Sequence, residues 1–116
     1  MFKKNLLTLV QICKTNNITP ILCTEAHCFD KLPYSWFLKN KNVEMAQLGN
    51  QGEWYMAHFS RMLNNFNQII IEVAKEQNCT LIDIDKELQD LRFFRDEVHF
   101  NDIGSMRVAE IIAEKL

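Results

Sequence analysis

Two short apolar runs, Ile18 to Thr24 and Cys79 to Ile84, constrain this chain more than any other feature. Each is too short for an ordinary helix, and each follows a segment with polar residues on one side. Ile18, Ile21, Leu22 and Cys23 are nearly continuous in the first, and Leu81, Ile82 and Ile84 dominate the second. A strand with one wet face alternates apolar and polar residues, whereas a strand covered on both faces reads as an apolar run. The two runs therefore predict buried parallel strands, which need a long crossover connection between them. Pro20 lies near the start of the first, where its missing N–H costs least.

Helical periodicity surrounds both runs. Asn5 to Asn16 places Leu6, Leu9, Val10 and Cys13 on one face with Lys4, Gln11 and Lys14 opposite, and Asn16-Asn17 ends the segment. Phe59, Leu63, Phe66, Ile70 and Val73 recur at helical spacing over about five turns. Lys86 to Leu91 suits a short helix. Val108, Ile111, Ile112 and Leu116 mark a last one, with Asn101 or Asp102 as its N-cap. From Glu25 to about Glu53 the periodicity dissolves around Pro33, Gly49, Gly52 and the polar run Lys39-Asn40-Lys41-Asn42, which predicts a long loop of the functional or mobile kind. The order is helix, strand, long loop, helix, strand, loop, helix. It implies an α/β fold with helices on the faces of a parallel sheet. Residues 1–116 form a single domain without repeats or a linker.

Composition narrows the function classes. The net charge of −2 argues against nucleic acid, which asks for a concentrated basic patch. No apolar run approaches membrane-spanning length. Met1-Phe2-Lys3-Lys4 before Leu6 to Val10 has the outline of a signal peptide, but Gln11 and Lys14 interrupt it and no small-residue cleavage site follows. Cys13, Cys23, Cys28 and Cys79 are too few and too irregular for a disulfide framework. Cys23, His27 and Cys28 lack a second ligand pair at zinc spacing, so buried free thiols and no metal are expected. Free thiols without a signal peptide favour the cytoplasm.

The stretch Asp96-Glu97-Val98-His99 carries the clearest chemistry. A carboxylate three residues before a histidine can accept a hydrogen bond from one ring nitrogen, which fixes the tautomer and frees the other nitrogen to take a proton. Taken alone, the motif favours the plainer account, a histidine flanking a helix and touching Asp96. Glu97 is the competing acid and reads as a solvated surface residue. Glu25 and His27 lie just past the carboxyl end of the first strand, where open α/β sheets bind ligands, and are candidate pocket residues. Asp83 reads as a turn cap, and His58 as packing or surface. Phe29, Tyr34, Trp36, Phe37, Trp54 and Tyr55 suit either an acyl-binding wall or the packing of a long loop.

With this order in hand, three stretches resemble the C-terminal part of the SGNH (GDSL-type) hydrolase superfamily. Asn5 to Val10 running into Ile18 to Thr24 is similar to the family's helix before its fourth strand. Phe66 to Ile70 with Ala74, then Leu81 to Ile84, is similar to the following helix and fifth strand. Asp96-Glu97-Val98-His99 with Gly104 and Val108-Ala109 is similar to the last block. The resemblance implies a three-layer α/β/α, flavodoxin-like fold, here its C-terminal portion with two parallel strands and about three main helices. It implies a serine esterase or acyl hydrolase acting on a small-molecule ester without metal or organic cofactor, with Asp96 and His99 as triad members. It also exposes a departure. The family's serine in a Gly-Asp-Ser turn, and its oxyanion Gly and Asn, belong to blocks before those matched here. Ser35, Ser60 and Ser105 are the only serines, and none follows a strand in a tight Gly-flanked turn. The chain alone is therefore expected to be inactive, with a complementing N-terminal segment or self-association covering its open side. The competing expectation is a non-catalytic binding or assembly module that keeps the fold.

Overall fold

Each described strand is entered through an asparagine. A computed structural model describes residues 1–30 and 51–116. Helix α1 spans Phe2–Thr15 and strand β1 spans Ile21–Cys23. Helix α2 is Gly52–Glu76 and strand β2 is Thr80–Ile82. At the end of α1, Asn17 takes a left-handed φ of 58°, so that Ile18 N–H reaches Cys13 C=O at 2.8 Å and Asn17 N–H reaches Lys14 C=O at 3.1 Å. Asn78, φ 52°, repeats the device after α2, with Cys79 N–H donating to Ala74 C=O at 2.8 Å. Asparagine tolerates this backbone region better than other non-glycine residues, and the paired bonds satisfy carbonyls that a helix end leaves open.

The strands lie side by side and parallel, with Ile21 opposite Thr80, Leu22 opposite Leu81 and Cys23 opposite Ile82. Thr24 N–H extends the ladder to Ile82 C=O at 3.1 Å. Both strands are shorter than their apolar runs. Ile18 to Pro20 serve as the approach to β1, and beyond β2 the carboxylate of Asp83 caps α3 (Ile84–Glu87). A 3-10 turn at Leu91–Phe93 and helix α4, Asp102–Lys115, complete the described chain. The short helix expected at Lys86 to Leu91 is thus two pieces.

The core gathers Ile82, Ile84, Leu88, Phe93, Phe94 and Ile111 with Ala26, Cys28, Phe29 and Met56. Helix α1 packs on α2, with Phe2 edge-on to Phe66 at 4.7 Å and Lys3 paired to Glu76 at 2.9 Å. That seating buries Val10 and leaves Leu9 60% exposed, so Leu9 does not share the buried face as the spacing predicts. The expectation that β1 is covered on both faces also fails within the described residues. Ile82 is sealed while its register partner Cys23, on the same face, is exposed, as is Ile21. No helix among the described residues is long and apolar enough to cross a membrane. Pro33, Tyr34, Trp36, Phe37, the Lys39–Asn42 run and Gly49 lie outside the described residues.

Candidate active site

Asp96 and His99 sit in a loop that closes on itself. Phe94 and Phe100 form an antiparallel bridge across its base, and Arg95 N–H donates to His99 C=O at 2.8 Å. Within the loop, Asp96 Oδ1 accepts the N–H of Val98 at 3.0 Å and of His99 at 2.7 Å, the pattern by which an aspartate organises a tight turn. The same carboxylate meets the imidazole, with His99 Nδ1 at 3.0 Å from Oδ1 and 2.8 Å from Oδ2. Backbone and ring are thus held by one acid. The His99 side chain is 65% exposed, and among the described residues nothing bonds to Nε2.

The electrostatics favour an ionised acid. Partial burial pushes the Asp96 carboxyl up, but the N–H groups of Val98 and His99, the His99 ring and its charge together hold it below the usual carboxylate value. An ionised Asp96 accepts from Nδ1–H, which makes Nε2 the basic nitrogen.

Surrounding elements grip this loop. Cys28, fully buried just past β1, donates its N–H to Glu97 C=O at 2.9 Å and its thiol to Asp96 C=O at 3.3 Å. Asn101 caps α4, its Oδ1 accepting Gly104 N–H at 2.8 Å while its Nδ2 donates to Arg92 C=O at 2.6 Å. Gly104 is required by a close approach, since a Cβ there would stand 2.0 Å from the carbonyl oxygen of Phe93.

A second polar network braces the carboxyl ends of the strands. Thr24 hydroxyl donates to Asp83 Oδ1 at 2.7 Å and accepts the N–H of Asp85 at 3.0 Å. Asn67 of α2 reads the backbone of Glu25 in both directions, accepting its N–H and donating to its C=O at 2.8 Å each. Glu25 therefore has its backbone fixed and its side chain exposed. His27 is placed differently: its ring is 1% exposed, with Nε2 2.9 Å from Asn64 Oδ1. Of the four sequence-predicted residues, the structure joins Asp96 to His99 and sets Glu25 and His27 in the neighbouring segment tied to them through Cys28. Cys28, Asn64 and Asn67 escaped sequence reasoning, because their partners lie 68, 37 and 42 residues away and no local pattern marks them.

Phe29 packs against Tyr55 and Phe59, with ring centroids at 6.2 and 5.8 Å. Trp54 is exposed and stacks on His58 at 5.0 Å. Ser60 is buried within α2 and Ser105 is exposed in α4, while Ser35 lies outside the described residues. Among the described residues no three His, Cys, Asp or Glu side chains gather as a metal ion would require.

No protein-family model matches the sequence, and no curated protein matches it. A solved structure does. The crystal structure of an acetyl xylan esterase superposes with a TM-score of 0.67 at 23% identity, over 98% of this chain and 53% of its own. The likeness is one of fold, and the chain spans about half the length of that esterase.

Proposed function

We propose that this chain supplies the acid–base half of a serine esterase or acyl hydrolase of the SGNH type, as part of a three-layer α/β/α domain. One observation carries the reading: a single carboxylate fixes both the backbone and Nδ1 of His99 and leaves Nε2 open to solvent. His99 takes the proton of a serine hydroxyl as that oxygen attacks the ester carbonyl, then returns it to the departing alcohol. Asp96 sets the tautomer and stabilises the imidazolium. Water, activated by the same histidine, releases the acyl group. Chemistry of this kind asks for no metal or organic cofactor. The serine and the oxyanion donors come from sequence outside these 116 residues, in keeping with the half of the esterase that this chain does not match. Glu25, exposed beyond the end of β1, lines the substrate pocket, and His27 forms part of the wall behind it. A short acyl ester is the substrate class that the esterase likeness suggests.

A single-chain chimera tests this, with the present sequence replacing the matched half of the acetyl xylan esterase. It is expected to hydrolyse p-nitrophenyl acetate, and His99→Ala is expected to lower the rate by about 10⁴-fold or more. A chimera that unfolds cooperatively on heating yet hydrolyses nothing overturns the reading.

A further inference from the structure

The bridge that closes the loop of Asp96 and His99 also fixes which side chains share a face. Asn101 N–H donates to Phe93 C=O at 3.0 Å and Arg95 N–H to His99 C=O at 2.8 Å, so Phe94 stands opposite Phe100 and Arg95 opposite His99. Opposed residues of an antiparallel pair send their side chains to one side, with Cβ atoms about 5 Å apart, and successive pairs alternate sides. Phe94 and Phe100 take the inner side, their ring centroids 5.4 Å apart against the core. Arg95 and His99 therefore project together from the outer side, and both are exposed.

Among the described residues no carboxylate pairs with the guanidinium of Arg95. Asp96, its neighbour in sequence, has both oxygens turned to the His99 ring, and Oδ1 also holds the N–H groups of Val98 and His99. Beside this pair Arg95 lines a groove of about 420 Å³ with Phe100, Asn101, Asp102 and Ile103. The Asn101 amide is spent on Gly104 N–H and Arg92 C=O, which leaves Arg95 as the groove's cation and main side-chain donor. A planar guanidinium receives a carboxylate through two parallel hydrogen bonds. Asp102 on the same groove repels a dianion more than a single charge, which disfavours a phosphate monoester.

We propose that Arg95 selects the substrate by binding a carboxylate on the alcohol part of the ester, so that the substrates are acyl esters of hydroxy acids. The alcohol part is assigned because His99 returns its proton to the departing oxygen and so has that half of the ester beside it. This rests on the esterase reading for the role of His99, not for the placement of Arg95. Any polypeptide that brings a serine to His99 must also leave this face open to the ester.

NMR of the chain, titrated with 4-acetoxybutanoate and separately with its uncharged amide, tests the contact. The carboxylate is expected to shift the Arg95 Nε–H and His99 ring signals saturably, and the amide to move neither. Arg95→Gln should weaken binding about fivefold, the upper range for an exposed ion pair, and Arg95→Lys by less. Equal shifts from the amide overturn the proposal, as does binding indifferent to Arg95→Gln. If the chain alone gives no dispersed spectrum, the esterase chimera reads the same contact. Its ratio of kcat/KM for the carboxylate over the amide should fall about fivefold in Arg95→Gln, and an unchanged ratio overturns the proposal while sparing the esterase reading. Binding through Arg95 beside a folded chimera that hydrolyses neither ester supports the contact and counts against the esterase reading instead.

Discussion

The buried thiol of Cys28 donates to the carbonyl oxygen of Asp96 at 3.3 Å across 68 residues of sequence, while its N–H holds the next carbonyl, that of Glu97. One residue, by thiol and backbone together, thereby seats the loop that carries the acid and the histidine. Cys28 is fully buried and Cys23 is exposed. Iodoacetamide should label Cys23 in the native chain and leave Cys28 to react only when the loop opens. Asp96→Ala, which removes the turn inside that loop, should speed labelling of Cys28 by about tenfold or more. An unchanged rate, followed by mass spectrometry of the two peptides, would show that Asp96 does not hold the loop shut.

Acid should expose the work of Asp96. Its folded-state pKa is depressed, so its stabilisation is fully present above the unfolded value of about 4 and fades as pH falls through the folded value. Asp96→Asn should therefore unfold at lower denaturant than the parent at pH 6, with the gap closing toward pH 2. Parallel curves at both pH values would mean that the carboxylate gains nothing from its neighbours.

Gly104→Ala separates propensity from packing. An alanine inside α4 gains about 1 kcal/mol over glycine by helix propensity alone. The new Cβ, however, would meet backbone, Phe93 O at 2.0 Å and Phe93 C at 3.0 Å, neither of which swings aside as a side chain can. Overpacking of this kind costs about 3 kcal/mol or more, so net destabilisation is expected by thermal unfolding. A raised Tm would refute the close approach.

Asn67→Leu should be costly for a reason that its volume does not reveal. It strips partners from the N–H and C=O of Glu25, at about 1–3 kcal/mol for each buried group left unpaired. Urea midpoints for Asn67→Leu and Asn67→Ala give the answer, both being expected well below the parent. A loss under about 0.5 kcal/mol would mean that water replaces the amide without penalty.

The chain by itself should not react with a fluorophosphonate. Ser60 is buried in mid-helix and Ser105 belongs to α4; neither bonds to His99. Ser35 has no glycine beside it in the sequence, and among the described residues no serine stands as a nucleophile, whose loss costs serine catalysis about six orders of magnitude. Stoichiometric labelling of any serine would contradict this.

Much of the scaffold was legible because its signals are local. Phe59, Leu63, Phe66, Ile70 and Val73 repeat often enough to reveal α2, although Tyr55 and Met56, which carry the same face into its first turns, lie in a stretch read as loop and wall from the sequence. Asn101 as the cap of α4, Asp83 as a turn cap, and the contact of Asp96 with His99 all span four residues or fewer. Leu9 was misplaced because a stripe through Leu6, Val10 and Cys13 admits a neighbour at either side, and only the seating on α2 decides which is buried. The coverage of β1 was misjudged for a similar reason: an apolar run states what a strand can bury, whereas burial depends on what lies beside it.

The site has two kinds of closure in it, and they differ in cost. Asp96 and His99 are separated by three residues, so a single small loop brings them together. The bonds that seat them span 42 residues from Glu25 to Asn67, 59 from Thr24 to Asp83 and 68 from Cys28 to Asp96. Chain entropy makes the Cys28–Asp96 closure dearer than the Asp96–His99 turn by about 3 kcal/mol, taking the ratio of the two spans. Acid and base can therefore meet in a chain whose sheet has not yet formed, whereas the platform beneath them arrives only when the parallel register is found. Refolding should then show the turn at Asp96 ordering ahead of the Cys28 contact, with strand pairing setting the pace.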